Sequence, residues 1–451
     1  MIMNTILEAA KKLALRTTAQ VSKVNKNAKE AFKLINKECT KHKEVISIKF
    51  GGSYAKGTWT PEKIDVDIFI KLKKSVSEKK FAALGKKIGF NALKKYNPYV
   101  RYSEHPFVEA LVGETLVNVV PCYDVKNGEW KSAADRSTFH TEFMNEKLTG
   151  QMKNDTSLLK CMMKTNCVYG AEIASQGFSG YVTEVLVYYF GSFANVIKEI
   201  SKIEKNARIG QSPRKFDSPI IIIDPIDGNR NLGAAISMEN LGKFILLSRA
   251  YLKKPSLSFF KNKKIIPPIQ KNLEKNTIVI SFSYKSRSED IIFGQLKRVA
   301  NSLESQLNQE GFRVLRNDAI IYDENKAAVF VLLEDVLLNK NQVKNGPELF
   351  EDKFSKKFIE VNVKKSKLMW VDKHGKLQSL QKRNHGDAKL FLKKMLGKNL
   401  SKFGIPKGLQ NDFKRHFLVT TGDKISNKSI KAGITKLTST NAAIFPSSQK
   451  I

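Results

Sequence analysis

Two aspartates, Asp65 and Asp67, stand two residues apart in a short apolar segment and could hold a metal ion. If the segment is a strand, alternate side chains point to the same face, so both carboxylates project together. Val66, Ile68 and Ile70 then point to the opposite, buried face. Two neighbouring acids repel each other unless a cation lies between them, and a pair of Mg²⁺ ions that binds triphosphate oxygens is the natural occupant. The pair therefore predicts phosphate-transfer chemistry.

A glycine turn, Gly51-Gly52-Ser53, precedes these acids. Glycine lets the backbone approach an anion closely, and the start of a following helix offers free N–H groups to phosphate. Alone, an Asp-x-Asp pair is more often a solvated strand face, and Gly-Gly-Ser is usually only a turn. In the order strand, glycine turn, short helix and acidic strand, the segment 50–70 resembles the nucleotidyltransferase superfamily.

The composition limits the class of protein. The 451 residues suffice for two to four domains, and 41% are hydrophobic, as in ordinary globular proteins. No apolar run approaches the ~20 residues that span a bilayer. The N-terminus shows no signal-peptide pattern, and Thr5 with Glu8 fits a helix capping box. The four cysteines show neither zinc spacing nor a disulfide framework, so we expect reduced, buried thiols in a cytoplasmic protein.

The net charge of +35, from 78 Lys and Arg against 43 Asp and Glu, is large enough to attract a polyanion over a distance. A Lys- and Asn-rich composition from an AT-rich genome is an alternative explanation of the charge. That alternative does not explain why the charge coexists with a phosphate-transfer pattern. The sequence therefore favours RNA or DNA as the partner over a membrane surface, for which no amphipathic anchor is evident.

The apolar spacing predicts a multidomain α/β (α+β) protein. Residues 1–148 alternate helices and strands and are expected to form a nucleotidyltransferase-type mixed sheet, while residues 149–265 are mainly helical. In residues 266–451 we expect a ferredoxin-like or mixed α/β region, because the strand–helix–strand–strand order at 277–334 is half of a ferredoxin-like unit.

Several longer blocks resemble the archaeal-type (class I) CCA-adding enzymes. They occur in the family's order over about residues 35–335, while the C-terminal quarter matches weakly. The blocks are Tyr102–Phe107, Val119–Tyr123, Ser132–Thr141, Tyr169–Glu172, Gly177–Tyr181 and Asp224–Asn231.

The resemblance implies a tRNA nucleotidyltransferase that acts in tRNA processing and repair. Such an enzyme adds C, C and A to the tRNA 3′ end from CTP and ATP without a nucleic acid template, and releases pyrophosphate. The resemblance implies Mg²⁺ as cofactor and Asp65 and Asp67 as catalytic acids. It also implies a catalytic head (1–148), a helical neck that contacts the nucleotide base and the RNA end (149–265), and a tRNA-binding body and tail (266–451). The family commonly forms dimers.

The resemblance also assigns roles to single residues. Ser53 would hold the triphosphate, and Lys56 stands where the family commonly has Arg, so it keeps the charge but loses the bidentate fork. His140 and Lys160 would contact phosphates or ribose, and Tyr169 would pack on or hydrogen-bond to the nucleotide.

Arg230 would meet the base edge and help to accept C and A while excluding G and U. Contact with the RNA is expected from Ser53, Lys56 and His105. The basic helices predicted at 77–96 and 388–415 are candidate tRNA-binding faces, although solvated helices of a Lys-rich protein are at least as good an interpretation.

The residues alone leave other interpretations open. Lys160 could lie on a solvated helix face, and Tyr169 could pack at a helix end. His140 looks exposed, and a lone histidine there is more often structural. Arg230 follows an Asp-Pro/Asp-Gly turn, where surface arginines are common.

One position departs from the family pattern. Asn118, in the strand predicted at 115–123, stands where the family usually has an Asp as third metal ligand. Asn can offer a carbonyl oxygen to Mg²⁺, but it brings no negative charge and cannot accept the proton of the attacking hydroxyl. Glu114 and Asp124 share its strand face but lie ~13 and ~20 Å along it, so neither is an easy replacement. Either the site tolerates a neutral third ligand or its activity is weakened.

Two other functions stay open. A poly(A) or oligoadenylate polymerase of the same superfamily would use the same acids, although the block around Arg230 resembles the tRNA-end family instead. A catalytically weakened tRNA-binding relative would explain Asn118, but it would have no reason to keep Asp65 and Asp67.

Overall fold

The computed structural model describes residues 2–62, 64–101, 106–261 and 271–440. The chain divides into two compact units, one largely within residues 1–265 and the other largely within residues 266–440. No helix in the described ranges is long and apolar enough to cross a membrane.

A five-stranded mixed sheet organises the N-terminal part of the first unit. Its strands are β1 (Val45–Gly51), β2 (Asp65–Leu72), β3 (Tyr99–Arg101), β4 (Phe107–Val112) and β5 (Thr115–Tyr123). They lie in the order β1-β2-β5-β4-β3, in which β2 and β5 run parallel and the other neighbours are antiparallel. Val66, Ile68 and Ile70 of β2 are fully buried, as the alternation in the sequence predicts. The predicted mixed sheet is confirmed.

Helices cover the buried face of this sheet. Those that pack on it are α2 (Thr18–Cys39) and α4 (Glu78–Ala92), and α3 (Gly52–Lys56) directly follows β1. The first helix, α1 (Ile2–Ala14), belongs instead to the separate core of the later helices. In α4, Gly85 and Gly89 let the helix approach closely, because a Cβ at either position would lie 2.7 Å from Pro121 or 2.5 Å from Val108. The expected helix cap at Thr5 is wrong, since α1 already begins at Ile2. The capping box belongs instead to α2, where Thr17 and Gln20 bond reciprocally.

The rest of the first unit is mainly helical, as predicted. Its helices are α5 (Asp135–Lys147), α6 (Gly150–Thr165), α7 (Gly180–Phe190), α8 (Phe193–Ser201) and α9 (Met238–Lys253). A small sheet accompanies them, formed by β6 (Arg208–Ile209), β7 (Ile221–Asp224) and β8 (Asp227–Asn231). The helical pattern at 179–200 breaks at Gly191, whose φ of 82° ends α7, and Ser192 caps α8. Phe178 and Phe244 pack edge to face in the core of this region.

An antiparallel four-stranded sheet organises the second unit. The described elements begin with α10 (Lys271–Lys275), β9 (Thr277–Ser283), α11 (Glu289–Gln309), β10 (Val314–Asp323) and β11 (Lys326–Leu333). After an insertion follow α13 (Ala388–Leu396), α14 (Lys407–Arg415), β15 (Phe417–Thr421) and α15 (Lys428–Thr438). The order β10-β11-β9-β15 is that of a complete ferredoxin-like sheet, and α11, α13 and α14 pack on one face of it.

The insertion is a second, three-stranded sheet with one helix. Its elements are β12 (Asn341–Glu348), α12 (Asp352–Asn362), β13 (Ser366–Val371) and β14 (Lys376–Lys382). The sequence did not predict these strands, because β12 is mostly polar and exposed and carries little alternation.

All four cysteines lie in the described ranges, and they are free. Cys39, Cys122 and Cys161 are buried, as expected. Cys167 is exposed, so the expectation of a buried thiol is wrong there. It follows the last turn of α6 with a φ of 57°, which turns its side chain out of the helical core.

Candidate active site

The two predicted acids lie side by side on the open face of the sheet. Asp65 and Asp67 of β2 are both partly exposed, while the residues between and after them are buried. On the parallel neighbour β5, Asn118 is in register with Asp67, and its Nδ2 donates a hydrogen bond of 2.9 Å to Asp67 Oδ1. The structure thus brings together the three residues that the sequence proposed as metal ligands.

Asn118 contributes a buried acceptor that the protein does not use. Its side chain is only 8% exposed, and Asn118 Oδ1 has no hydrogen-bond partner among the described residues. Burial raises the pKa of the Asp67 carboxyl; the bond from Asn118 opposes that rise, and the charge of Asp65 adds to it. A carbonyl oxygen beside two carboxylates is a set of hard ligands that suits Mg²⁺.

Within the described ranges, no group of three or more His, Cys, Asp or Glu side chains stands close enough to hold a metal ion together. Glu114 and Asp124, which the sequence judged too distant from Asn118, are engaged elsewhere. Glu114 lies 2.6 Å from Lys23, and Asp124 lies 3.4 Å from Lys71.

Sequence reasoning missed one carboxylate near this site, Glu109 of β4. It is paired in register with Asn118 and is 2% exposed. The hairpin turn at residues 113–114 could have revealed this neighbour. A two-residue turn pairs Val112 with Thr115, and the same register places Glu109 opposite Asn118.

The glycine turn meets the acids directly. Gly51 of β1 is paired with Asp67, and Gly52 follows with a φ of +62°. A Cβ on Gly52 would lie 1.8 Å from Asp67 Oδ2, so a side chain there would fill the space beside the carboxylate. Ser53 in the first turn of α3 is partly exposed, and N–H groups of a first helical turn have no partner within the helix.

A buried ion triad lies beside the turn. Lys56 Nζ is 2.5 Å from Glu184 Oε2, and Lys160 Nζ is 2.9 Å from Glu184 Oε1. Thr58 Oγ1 donates to the same Oε1 at 2.6 Å. All four side chains are buried, so the interpretation of Lys160 as a solvated helix face is wrong. Lys56 is 5% exposed, and its approach to RNA stays a prediction.

Burial and charge act against each other on the pKa values of this triad. Burial alone raises the pKa of Glu184, but the ammonium groups of Lys160 and Lys56 outweigh it and hold that pKa at about 2. Burial lowers the pKa of Lys160 to about 8, against the opposing charge of Glu184. The Glu184 carboxylate is therefore ionised at neutral pH and lies between two lysine side chains. Sequence reasoning missed Glu184, although a single acid inside the apolar helix α7 signals a buried pair.

Asp224, the last residue of β7, contacts the side chains of His140, Arg230 and Tyr181. Its Oδ2 lies 3.0 Å from His140 Nε2 and 3.1 Å from Arg230 Nη1, and its Oδ1 accepts from Tyr181 Oη at 2.9 Å. His140 stacks on Tyr181 with ring centroids 3.7 Å apart. His140 is only 7% exposed, so the expectation of an exposed histidine is wrong. Its partner is 84 residues away in the chain, which a sequence pattern does not reveal.

The protonation of this cluster follows from burial. Burial lowers the pKa of His140, although the bond to Asp224 opposes the shift. Burial alone would raise the pKa of Asp224. Its polar contacts, of which the hydrogen bond with His140 is the largest, outweigh burial and lower that pKa below its usual value. Burial thus holds His140 neutral at pH 7, against the charge of an ionised Asp224. The side chain of Arg230 stays 41% exposed, so part of its guanidinium faces outward.

The remaining predicted residues fall in or near the same region. Lys56 Nζ lies 5.5 Å from the Tyr181 ring centre and so connects the triad to the Asp224 cluster. Tyr169 is mostly buried, with Lys164 Nζ 5.2 Å above its ring. Burial raises the pKa of Tyr169, and the charges of Glu184 and Asp65 add to that rise. His105 lies outside the described residues.

Three protein-family descriptions match successive parts of the chain. The nucleotidyltransferase domain matches residues 32–143, the second domain of tRNA nucleotidyltransferase matches residues 154–261, and the C-terminal domain of the CCA-adding enzyme matches residues 275–422.

Curated relatives agree with these matches. The CCA-adding enzyme of Saccharolobus islandicus (strain M.14.25 / Kamchatka #1) is 34% identical over 353 residues, which are 77% of this chain and 84% of that protein. The CCA-adding enzyme of Pyrobaculum neutrophilum is 36% identical over 326 residues, 69% of this chain and 75% of that protein. The sheet with its paired acids, the helical region and the ferredoxin-like unit therefore lie in a chain that belongs to the family of CCA-adding enzymes, the tRNA nucleotidyltransferases.

Proposed function

We propose that this protein adds C, C and A to the 3′ end of tRNA from CTP and ATP, with release of pyrophosphate and without a template. The observation that carries the proposal is the pair Asp65 and Asp67 beside Asn118, facing Gly52 and Ser53 in a member of this family. The reaction forms a bond between the tRNA 3′ oxygen and the α-phosphorus. The bond between the α-phosphorus and the oxygen that bridges to the β-phosphorus breaks, pyrophosphate leaves with that oxygen, and the proton of the 3′ hydroxyl passes to water.

The proposal includes Mg²⁺ as the cofactor, held by Asp65, Asp67 and Asn118. The unused Asn118 Oδ1 and the two carboxylates support this assignment, because all three offer hard oxygen ligands on one face. The chemistry that two bound Mg²⁺ ions supply is neutralisation of the triphosphate and activation of the hydroxyl for in-line attack.

The nucleotide lies, in this proposal, between the acids and the Asp224 cluster. Ser53 and the first-turn N–H groups of α3 hold the triphosphate, and Lys56 and Lys160 add positive charge beside it. Tyr169 packs on the nucleotide, and the neutral His140 donates or accepts a hydrogen bond without adding charge.

Arg230 would select the base. Its guanidinium is fixed by Asp224, so its remaining N–H donors point in a set direction. C and A both present a ring nitrogen acceptor next to an amino group, whereas G and U carry a proton on the corresponding nitrogen. A fixed donor therefore favours C and A.

We also propose that three successive parts of the chain have different functions. Residues 1–148 form the catalytic head, residues 149–265 the neck that contacts the base and the RNA end, and residues 266–451 the body and tail that bind tRNA. Ser53, Lys56 and His105 are the proposed RNA contacts near the reacting end. A cytoplasmic location and a homodimer complete the proposal.

The length of the product tests this function against its alternatives. The wild-type protein is incubated with tRNA lacking its CCA end, Mg²⁺ and both nucleotides, one of them labelled. A stop after three added nucleotides supports CCA addition. Long A tails instead would indicate a poly(A) polymerase, and no addition with any divalent metal would indicate a tRNA-binding relative.

A further inference from the structure

A row of facing residues crosses the whole five-stranded sheet. From β1 to β3 its members are Gly51, Asp67, Asn118, Glu109 and Tyr99, each paired in register with the next. Residues paired across neighbouring strands point to the same face of a sheet. The row therefore has a neutral side chain between two carboxylates, on the face that carries the proposed metal site.

Glu109 is held in this row at a set distance. Strands lie about 4.8 Å apart, so the Cα of Glu109 is about 5 Å from that of Asn118 and about 10 Å from that of Asp67. Tyr99 Oη donates to Glu109 Oε1, and Arg101 Nη1 lies 3.3 Å from Oε2. The flanking residues Val108 and Ala110 are fully buried on the other face.

The local partners of Glu109 neutralise its charge only in part. A buried carboxylate is costly unless it is well compensated. The cation beside it, Arg101, is 46% exposed on its side chain and reaches one oxygen, and Tyr99 is half exposed. The adjacent Asn118 Oδ1 is buried and has no partner in the described part of the chain, so an acceptor lies in the row between Glu109 and Asp67 that a cation would satisfy.

We propose that Glu109 supplies the third negative charge of the divalent-metal site, displaced by one strand from β5 to β4. Asn118 offers the direct oxygen ligand, and Glu109 acts through it as a positioning residue whose charge stabilises the bound cation. The inference rests on the proposed function for its place in the reaction, although the metal site can be tested alone.

A double variant that moves the carboxylate from residue 109 to residue 118 distinguishes a role of the Glu109 charge in metal binding from a purely structural role of its side chain. The direct measurement is the affinity for Mn²⁺, by electron paramagnetic resonance or calorimetry, without nucleotide or tRNA. Glu109→Gln keeps the shape and can still accept from Tyr99, but it should weaken Mn²⁺ binding about tenfold, as loss of outer-shell partners typically does. The double variant Glu109→Gln/Asn118→Asp should return to within about threefold of the wild type, because the third charge is restored on β5.

The rescue is informative because Asn118→Asp does not restore the contacts of Glu109 with Arg101. Glu114→Gln, a carboxylate of the same hairpin that pairs with Lys23, is the control and should leave Mn²⁺ affinity unchanged. Wild-type affinity in Glu109→Gln, or a double variant as weak as the single one, would overturn the proposal.

If Glu109→Gln does not fold, Arg101→Gln is the second test. In that variant the Glu109 carboxylate loses its neighbouring cation, so Mn²⁺ binding should tighten, and an unchanged affinity would overturn the proposal. A wild-type protein that binds Mn²⁺ but adds no nucleotide to tRNA would contradict the proposed function. The role of Glu109 in metal binding would then still be decided by the Mn²⁺ titrations.

Discussion

Single residues determine whether the acids of the sheet can be reached. Gly52 is the clearest case, because its backbone lies in the left-handed region and its missing Cβ leaves the space beside Asp67 Oδ2 open. A methyl group on residue 52 would fill the space through which a triphosphate could approach Asp67.

Gly52→Ala should therefore reduce nucleotide addition at least about a hundredfold, while the strained φ costs only about 1–2 kcal/mol of stability. The added Cβ would force Asp67 away from its position. Rates of single-nucleotide addition and thermal melting check this prediction. Gly128→Ala is the matched control, since Gly128 also has a positive φ but nothing lies within 4 Å of the place that its Cβ would take. Equal losses in both variants would contradict the account.

The residue scale also shows what the sequence could predict. The shared face of Asp65 and Asp67 follows from the two-residue period of a strand, so it was predictable. The burial of His140 and Lys160 was not, because each is stabilised by an acid, Asp224 or Glu184, that lies far along the chain. A charged side chain is buried only where such a partner compensates its charge, and the local sequence pattern does not reveal a partner that is distant in the chain.

Elements of the first unit are joined by charge as well as by apolar packing. Glu184 on α7 binds Lys56 of α3 and Lys160 of α6, so one carboxylate ties three helices together. Loss of one partner would leave a buried charge uncompensated, which is strongly destabilising.

This triad should make stability depend on pH. The pKa of Glu184 is about 2 when folded, below its ordinary value of 4.5, so its contribution is present above pH 4.5 and is lost as the pH falls toward 2. By pH 3 the loss should be on the order of 2 kcal/mol relative to pH 7. Urea unfolding, followed by tryptophan fluorescence, should show the difference in unfolding free energy between wild type and Glu184→Gln shrinking over this range.

Glu172→Gln, an exposed acid of the same region, is the control and should show no such convergence. A difference between wild type and Glu184→Gln that stays constant from pH 7 to pH 3 would count against the ion triad.

At the scale of elements the sequence predicted the strand–helix–strand–strand half of the ferredoxin-like unit, because those strands are strongly apolar. It did not predict that β15 completes the sheet some 80 residues later, since that pairing depends on β9 being available at an edge. The inserted sheet was also missed, because its polar first strand lacks a hydrophobic period.

The whole molecule carries a net charge of +35, which should dominate its encounter with tRNA. If six or more phosphates are neutralised, the affinity for tRNA should fall about a thousandfold between 50 and 200 mM salt. Fluorescence anisotropy with labelled tRNA over a salt series measures the slope. A nearly flat dependence would indicate that the charge reflects composition alone and does not serve RNA binding.

The central claim is that Asp65 and Asp67 hold the metal for nucleotide addition. Single-turnover addition of labelled C to tRNA lacking its CCA end tests it most directly, with tRNA binding measured in parallel. We expect Asp65→Ala and Asp67→Ala each to abolish addition while tRNA binding stays within about twofold of wild type, since phosphate contacts dominate that affinity. Addition retained by either variant would contradict the account.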